Sequence, residues 1–174
     1  MAHDRVLTAP NLLSFARFPL AAAFVAVHDT RTRFALIVAA SVTDLLDGWL
    51  ARRGKTTRFG ALLDPIADKT FILFALSAFL FNGTLSTRDY FIILSRDLAT
   101  AVGFLVAYYL PGLDPTDFKA RWPGKVVMVL QLAALFVLLL RPAALPWVIW
   151  PLAAASAYAI YDYTAFLARV RKKA

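Results

Sequence analysis

The chain of 174 residues has no cysteine, and this absence excludes several kinds of chemistry. Without cysteine there is no disulfide framework, and no thiolate is available as a nucleophile or a metal ligand. Any bound metal ion must therefore be held by oxygen or imidazole ligands. The only two histidines, His3 and His28, lie far along the sequence from the acidic residues described below, so we expect neither to be a ligand.

Charged residues are also scarce, at 17% of the chain, whereas 60% of the residues are hydrophobic and the mean hydropathy is +0.64. This apolar share is well above that of ordinary soluble domains. The apolar stretches recur from Phe18 to Leu167 between short charged loops, which a single signal peptide or anchor would not do. The composition predicts an integral membrane protein, and the length predicts one domain over residues 1–174.

The chain lacks the alternation over about ten residues that marks the strands of a membrane barrel, so we expect helices. A helix needs about 20 residues to cross a hydrocarbon core of about 30 Å. Turn signals at Asn82-Gly83, Pro111-Gly112 and Pro142 divide the chain into segments of this length. The sequence therefore predicts an all-α membrane fold with a short amphipathic N-terminal segment along the interface and six transmembrane helices, near residues 12–28, 34–53, 61–81, 88–110, 124–141 and 144–168.

The net charge of +8 is compatible with a nucleic-acid partner or with anionic lipid. Lysine and arginine lie mainly between the apolar segments rather than among aromatic residues on one polar face, which favours lipid and argues against nucleic acid. With six spans, both termini lie on the same side of the membrane. Thirteen lysine and arginine residues then lie on that side and four on the other. The positive-inside bias then predicts an inner (cytoplasmic) membrane protein with both termini in the cytoplasm.

Four aspartates occur on two neighbouring predicted spans, which is costly because a carboxylate at mid-bilayer costs about 2.5–3.5 kcal/mol. Their spacing of three or four residues places each set on one helical face. Salt bridges with Arg96 and Lys69 are one structural explanation, but buried pairs rarely offset their desolvation. Carboxylates are the ligands that Mg²⁺ prefers, so we expect one or two Mg²⁺ or Mn²⁺ ions, with two favoured. The two faces comprise Asp44, Asp47, Gly48 and Ala51, and Gly60, Asp64 and Asp68.

A carboxylate site for Mg²⁺ indicates a phosphorylated ligand, because this ion usually keeps water and substrate phosphate among its ligands. Gly48 leaves room for a diphosphate to approach the helix backbone. Asp64-Pro65 predicts that Asp64 lies in the first turn of its helix or at a kink. The basic residues of the intervening loop can contact phosphate or can simply follow the positive-inside bias. These residues are Arg52, Arg53, Lys55 and Arg58.

The acidic motif resembles the signature of the CDP-alcohol phosphatidyltransferase family, Asp-x2-Asp-Gly-x2-Ala-Arg followed by Gly-x3-Asp-x3-Asp. The gap between Arg52 and Gly60 is seven residues, one fewer than in the family pattern. The N-terminal run Pro10-Asn11-Leu12-Leu13-Ser14 with Arg17 also resembles this family, as do the six expected spans. The resemblance covers nearly the whole chain.

The resemblance implies transfer of a phosphatidyl group from CDP-diacylglycerol to an alcohol, with release of CMP, by a homodimeric enzyme. It implies that Asp44, Asp47 and Asp64 bind the metal ions and that Asp68 is both a ligand and the general base. It also implies a CDP site in which Gly48 and Arg52 hold the diphosphate. We assign recognition of the cytosine to Asn11, Ser14 and Thr43. The other residues expected in the CDP site are Ala51, Arg58 and Gly60.

Two further cations, Arg96 and Lys125, suggest that the acceptor carries a phosphate. Arg96 can instead form an ion pair with Asp97 or another aspartate, and Lys125 can be an interfacial anchor. The surrounding residues, including Gln131, resemble those of phosphatidylglycerophosphate synthases, so glycerol 3-phosphate is the favoured acceptor. Phosphatidylglycerol, as in cardiolipin synthases, and inositol phosphate are the alternatives. A cation transporter is the alternative from another class, because intramembrane carboxylates also mark ion pathways.

Overall fold

The computed structural model describes the backbone of residues 9–53, 58–109 and 122–171, and the side chains of residues 12–46, 66, 67, 69–103 and 122–165. All regular structure in these ranges is helical, which confirms the all-α prediction. A short 3-10 turn, Pro142–Ala144, precedes the last helix. The α-helices are α1 (Ala9–Ala26), α2 (Thr30–Arg53), α3 (Arg58–Phe81), α4 (Thr87–Tyr109), α5 (Trp122–Leu140) and α6 (Leu145–Arg171).

Each predicted helix has a counterpart in the structure, and the largest displacement of an end is at α2, which begins at Thr30 rather than at residue 34. The predicted turn after α3 is confirmed, because Gly83 has a φ of 72°, a conformation that glycine adopts without a steric penalty. Asp64 does not lie in the first turn, since α3 begins at Arg58, and the alternative of a kink stays a prediction. Pro65 is thus inside a helix, where a proline cannot donate a backbone hydrogen bond.

The chain forms two compact units, residues 1–85 and 86–174. In the first unit, α1 packs against both α2 and α3. The ring of Phe24 on α1 meets Phe71 and Phe79 of α3 edge-on, with centroids 6.0 and 5.8 Å apart. Ala21 and Ala75 are also buried and small, which allows helices to approach closely.

The turn between α1 and α2 is held by two polar side chains. The Asp29 carboxylate accepts hydrogen bonds from the backbone N–H and the hydroxyl of Thr32, both at 2.8 Å, and so caps the start of α2. Arg33 is buried and donates from Nε to the Val27 carbonyl at 2.7 Å. Its guanidinium lies over the rings of Phe24 and Phe79, 5.0 and 5.5 Å from their centroids. These contacts stabilise the turn between α1 and α2.

In the second unit, α6 packs against α4 and α5. Ile93, Leu135, Leu138 and Leu152 are fully buried and form the centre of this packing. An open apolar groove of about 370 Å³ runs between α4 and α6. The unit therefore has a core of its own, and the prediction of a single domain over residues 1–174 stays a prediction.

Within the described residues, two helical segments are long and apolar enough to cross a membrane, Trp122–Leu140 and Pro142–Ala165. Leu12–Ala26 and Lys69–Phe81 are shorter apolar helices. The all-helical fold is thus established, whereas six membrane crossings remain a prediction. The amphipathic segment predicted before α1 falls on residues 1–8, outside the described residues.

Candidate active site

The acidic motif lies on two uninterrupted helices, as the sequence predicts. Asp44, Asp47, Gly48 and Ala51 belong to α2, and Gly60, Asp64 and Asp68 belong to α3. Because both segments are helical, spacings of three and four residues place each set on one face of its helix. Of the four aspartate side chains, that of Asp44 is described, whereas the other three lie outside the described residues. Convergence of the four carboxylates stays a prediction.

Asp44 forms an ion pair with Arg17, with 3.0 Å between Oδ1 of Asp44 and Nη2 of Arg17. The Arg17 side chain is 1% exposed and that of Asp44 is 41% exposed. The pair joins α1 to α2 at the first aspartate of the motif. Arg96 and Lys69 are the cationic partners named in the structural alternative that the sequence does not favour, whereas the structure pairs Asp44 with Arg17. The available signal was a lone arginine in the apolar run of α1.

The chemistry of Asp44 fits a divalent cation. Its carboxylate supplies the hard oxygen ligands that Mg²⁺ prefers, and its partial exposure leaves oxygen surface beyond the contact with Arg17. Among the described side chains, no three acidic or histidine residues lie close enough together to hold a metal ion. The remaining predicted ligands, Asp47, Asp64 and Asp68, lie outside that set, so the ion stays a prediction.

The residues predicted to bind CDP are described only in part. Ser14 is fully buried on α1, and the Thr43 hydroxyl donates to the Ala40 carbonyl of its own helix at 2.8 Å. The prediction that Ser14, Thr43 and Asn11 recognise cytosine stays a prediction. The side chains of the other predicted CDP ligands lie outside the described residues, namely Asn11, Gly48, Ala51, Arg52, Arg58 and Gly60.

A buried polar cluster connects α4 and α5 in the second unit. Arg96 Nη1 lies 3.1 Å from Asp97 Oδ1, and the two side chains are 13% and 14% exposed. The Gln131 amide donates to Asp97 Oδ2 at 2.7 Å and to the Ile93 carbonyl at 2.8 Å. Gly124 is buried against the guanidinium of Arg96, so that a Cβ at this position would collide with Nη2. We call Arg96, Asp97, Gln131 and Gly124 the α4–α5 cluster.

The α4–α5 cluster brings together Arg96 and Gln131, which the sequence singles out separately. The ion pair between Arg96 and Asp97, one of the expected alternatives, is observed. The sequence does not reveal that Asp97 also accepts a hydrogen bond from Gln131 and so links α4 to α5. Lys125 is exposed on α5, which is compatible both with binding of a phosphate and with anchoring at the membrane interface. Asp44 belongs to the first unit and Arg96 to the second.

Comparison with known proteins identifies relatives with two kinds of names. The chain is 35% identical over 103 residues to a "CDP-diacylglycerol--glycerol-3-phosphate 3-phosphatidyltransferase" of Aquifex aeolicus, covering 56% of this chain and 58% of that protein. It is 37% identical over 139 residues to a "Probable phosphatidylglycerophosphate synthase" of Mycobacterium tuberculosis, covering 76% and 64%. It is 40% identical over 102 residues to a "Putative cardiolipin synthase" of the same species, covering 51% and 49%.

The chain spans about half to just under two thirds of the length of these relatives. The family model for CDP-alcohol phosphatidyltransferases matches residues 7–159, which is most of the chain and includes all of α2 and α3 with their acidic motif. On this match, the chain belongs to the CDP-alcohol phosphatidyltransferase family.

Proposed function

We propose that the protein is an integral membrane enzyme that transfers a phosphatidyl group from CDP-diacylglycerol to an alcohol and releases CMP. The observation that carries this proposal is the placement of the complete family motif on two uninterrupted helices, α2 and α3. The proposed chemistry requires the aspartates of each helix to lie on the same side of it. The spacing of the motif meets this requirement, since each set of aspartates occupies one helical face.

In the proposed reaction, Asp68 removes the proton from the acceptor hydroxyl. The hydroxyl oxygen forms a bond to the β-phosphorus of CDP-diacylglycerol, and the bond from that phosphorus to the bridging oxygen of CMP breaks. Gly48 leaves space for the diphosphate beside α2, and Arg52 binds its oxygens. One or two Mg²⁺ or Mn²⁺ ions, held by Asp44, Asp47, Asp64 and Asp68, would neutralise the negative charge of the phosphates.

The proposed acceptor is glycerol 3-phosphate, and the product is then phosphatidylglycerophosphate. Arg96 supports this choice, because a largely buried guanidinium with a fixed orientation suits recognition of a phosphate. Asp97 binds one end of its fork, and the other end lies against Gly124, which has no side chain to obstruct it. Lys125 follows Gly124 on α5 and is proposed as the second phosphate ligand. Two of the relatives described above carry names with this activity.

A second candidate acceptor is phosphatidylglycerol, which would make the protein a cardiolipin synthase. The observation that favours it is the similarity to the putative cardiolipin synthase of Mycobacterium tuberculosis. Phosphatidylglycerol also carries a phosphate that Arg96 can bind. Glycerol 3-phosphate remains the first choice because its phosphate carries two negative charges, which can pair with the two cations, Arg96 and Lys125.

We further propose that all six helices cross the inner membrane, with both ends of the chain in the cytoplasm, and that the enzyme is a homodimer. The length and apolar composition of the segments Trp122–Leu140 and Pro142–Ala165 support a membrane location. The excess of lysine and arginine on one side of the helices supports the orientation. The dimer is carried over from the family resemblance.

The experiment is an acceptor panel. Purified protein in mixed micelles receives CDP-diacylglycerol and Mg²⁺ with glycerol 3-phosphate, phosphatidylglycerol or inositol phosphate, and CMP is measured. We expect CMP with glycerol 3-phosphate and little with the other two. CMP release with phosphatidylglycerol alone would reassign the acceptor, and no CMP release with any acceptor would overturn the proposed function. The Asp64→Asn variant should abolish CMP release, whereas in a cation transporter it would change ion flux without affecting CMP.

A further inference from the structure

Arg17 lies on the buried face of α1. The residues of this helix that are completely or almost completely buried recur at intervals of three and four, which is the period of one helical face. Arg17 is the charged member of the set. An arginine that is removed from solvent needs a fixed anionic or hydrogen-bonding partner, because desolvation of an isolated charge is very costly. The set comprises Ser14, Arg17, Ala21 and Phe24.

The partner of Arg17 is Asp44, the first aspartate of the acidic motif. Nη2 of Arg17 lies 3.0 Å from Oδ1 of Asp44, within the range of a charge-assisted hydrogen bond. Because α1 packs against both α2 and α3, the position of Arg17 is set by the same packing that fixes the two helices carrying the motif. The contact thus restricts the rotation of the Asp44 carboxylate, because Arg17 is itself held in place by the packing of α1.

Burial differs sharply between the two partners. Arg17 is enclosed, whereas the Asp44 carboxylate is partly exposed, so the arginine approaches one side of the carboxylate and leaves other surface open. Carboxylates that bind metal ions are commonly oriented by a hydrogen bond from a second group. Loss of such a group typically lowers metal affinity or activity by about 10–100-fold.

We infer that Arg17 is a positioning residue, which holds the Asp44 carboxylate in the orientation that binds the divalent ion. This inference rests on the proposed function, because it assumes that Asp44 is a metal ligand. It goes beyond that function by assigning to α1, outside the acidic motif, a direct effect on the metal site. In this inference Arg17 acts through Asp44 rather than through a contact with the substrate.

Arg33 provides a matched control in the same three-helix unit. It is also a buried arginine, but the partners described above are the Val27 carbonyl and the rings of Phe24 and Phe79, not a motif aspartate. Replacement of either arginine by leucine removes a buried cation from the packing of this unit. An effect on ion binding that appears only with Arg17 therefore separates positioning from general loss of stability.

The test measures Mn²⁺ binding to the purified full chain in detergent by electron paramagnetic resonance of the free ion. We expect Arg17→Leu to weaken Mn²⁺ binding by about 10–100-fold. Arg33→Leu should stay close to the wild type, and Arg17→Lys, which keeps the charge but not the fork, should fall between wild type and Arg17→Leu. Raising the Mn²⁺ concentration should recover part of the CMP release of Arg17→Leu. Circular dichroism and gel filtration check that each variant is folded.

Unchanged or tighter Mn²⁺ binding by Arg17→Leu would overturn the inference, and so would an equal loss with Arg33→Leu. If Arg17→Leu does not fold, Arg17→Lys decides the matter: weaker binding supports positioning, and wild-type affinity overturns it. A wild type that neither binds Mn²⁺ nor releases CMP would refute the proposed function and this inference together. A wild type that does both, with Arg17→Leu unchanged, refutes the inference alone.

Discussion

Gln131 Nε2 lies 2.7 Å from Asp97 Oδ2 and thereby connects α5 to α4 inside the second unit. The same amide nitrogen donates to the Ile93 carbonyl, and the other oxygen of Asp97 pairs with Arg96. Both carboxylate oxygens of Asp97 are therefore used. Because the cluster is largely buried, each of these bonds matters more than it would at a solvated surface.

Replacement of Gln131 by leucine tests this connection. The variant loses the hydrogen bonds from the amide to Asp97 Oδ2 and to the Ile93 carbonyl, which costs about 1–3 kcal/mol in a buried setting. We expect a lower melting temperature and a higher KM for glycerol 3-phosphate, with the KM for CDP-diacylglycerol little changed. Val129→Ala, at an exposed position of the same helix, is the control. A lower melting temperature with no change in either KM would mean that the cluster supports the fold and not the acceptor site.

Gly124→Ala probes the orientation of Arg96. The new methyl group would collide with Nη2 of Arg96, and the guanidinium, at the end of a flexible side chain, is the group that moves. The KM for glycerol 3-phosphate should therefore rise while stability changes little. Gly83→Ala is the control with the opposite expected result, lower stability with an unchanged KM. Its positive φ makes alanine strained there, although no atom lies within 4 Å of the added methyl group. Equal KM values for Gly124→Ala and the wild type would argue against phosphate binding by Arg96.

The helices were predictable from sequence because apolar runs of the right length end at residues such as Asn82-Gly83 and Pro142, which disfavour helix continuation. The placement of the motif on α2 and α3 follows from the same pattern. The partners of buried charges were not predictable in this way. Arg17 and Asp44 are 27 positions apart, and their pairing depends on how α1 packs against α2. Pro65 is compatible both with a first helical turn and with a kink, so the sequence could not decide between these two places for Asp64.

The cap of α2 should make stability depend on pH. Hydrogen bonds from the backbone N–H and then the hydroxyl of Thr32 hold the pKa of Asp29 below its usual range. The ionised carboxylate therefore favours the folded state, and this stabilisation is present above the pKa of the unfolded chain and is lost as the pH falls through the lower folded pKa. Asp29→Ala should lower the melting temperature at neutral pH.

The difference in melting temperature between wild type and Asp29→Ala should narrow as the pH falls below the ordinary aspartate pKa of about 4. Asp29→Asn is the matched control, since it keeps an acceptor oxygen but cannot titrate. Its difference from Asp29→Ala should stay nearly constant over the same pH range. A difference between wild type and Asp29→Ala that does not vary with pH would contradict the cap as described.

Two substitutions in the motif separate proton transfer from metal binding. Asp68→Asn removes the proposed base but keeps an oxygen ligand, so CMP formation should fall by about 100-fold or more while much of the Mn²⁺ binding remains. Asp47→Ala removes a proposed metal ligand outright and should lose both CMP formation and Mn²⁺ binding. Initial rates and Mn²⁺ titrations on the two purified variants make the comparison. Full activity in either variant would contradict the proposed mechanism.

The most direct measurement is the balance of products formed by the purified protein from CDP-diacylglycerol and glycerol 3-phosphate. CMP and phosphatidylglycerophosphate should appear in equal amounts, only when glycerol 3-phosphate and Mg²⁺ are both present, and should cease when the ion is chelated. CMP that forms equally well without any acceptor, or lipid product that persists after chelation, would contradict metal-dependent phosphatidyl transfer.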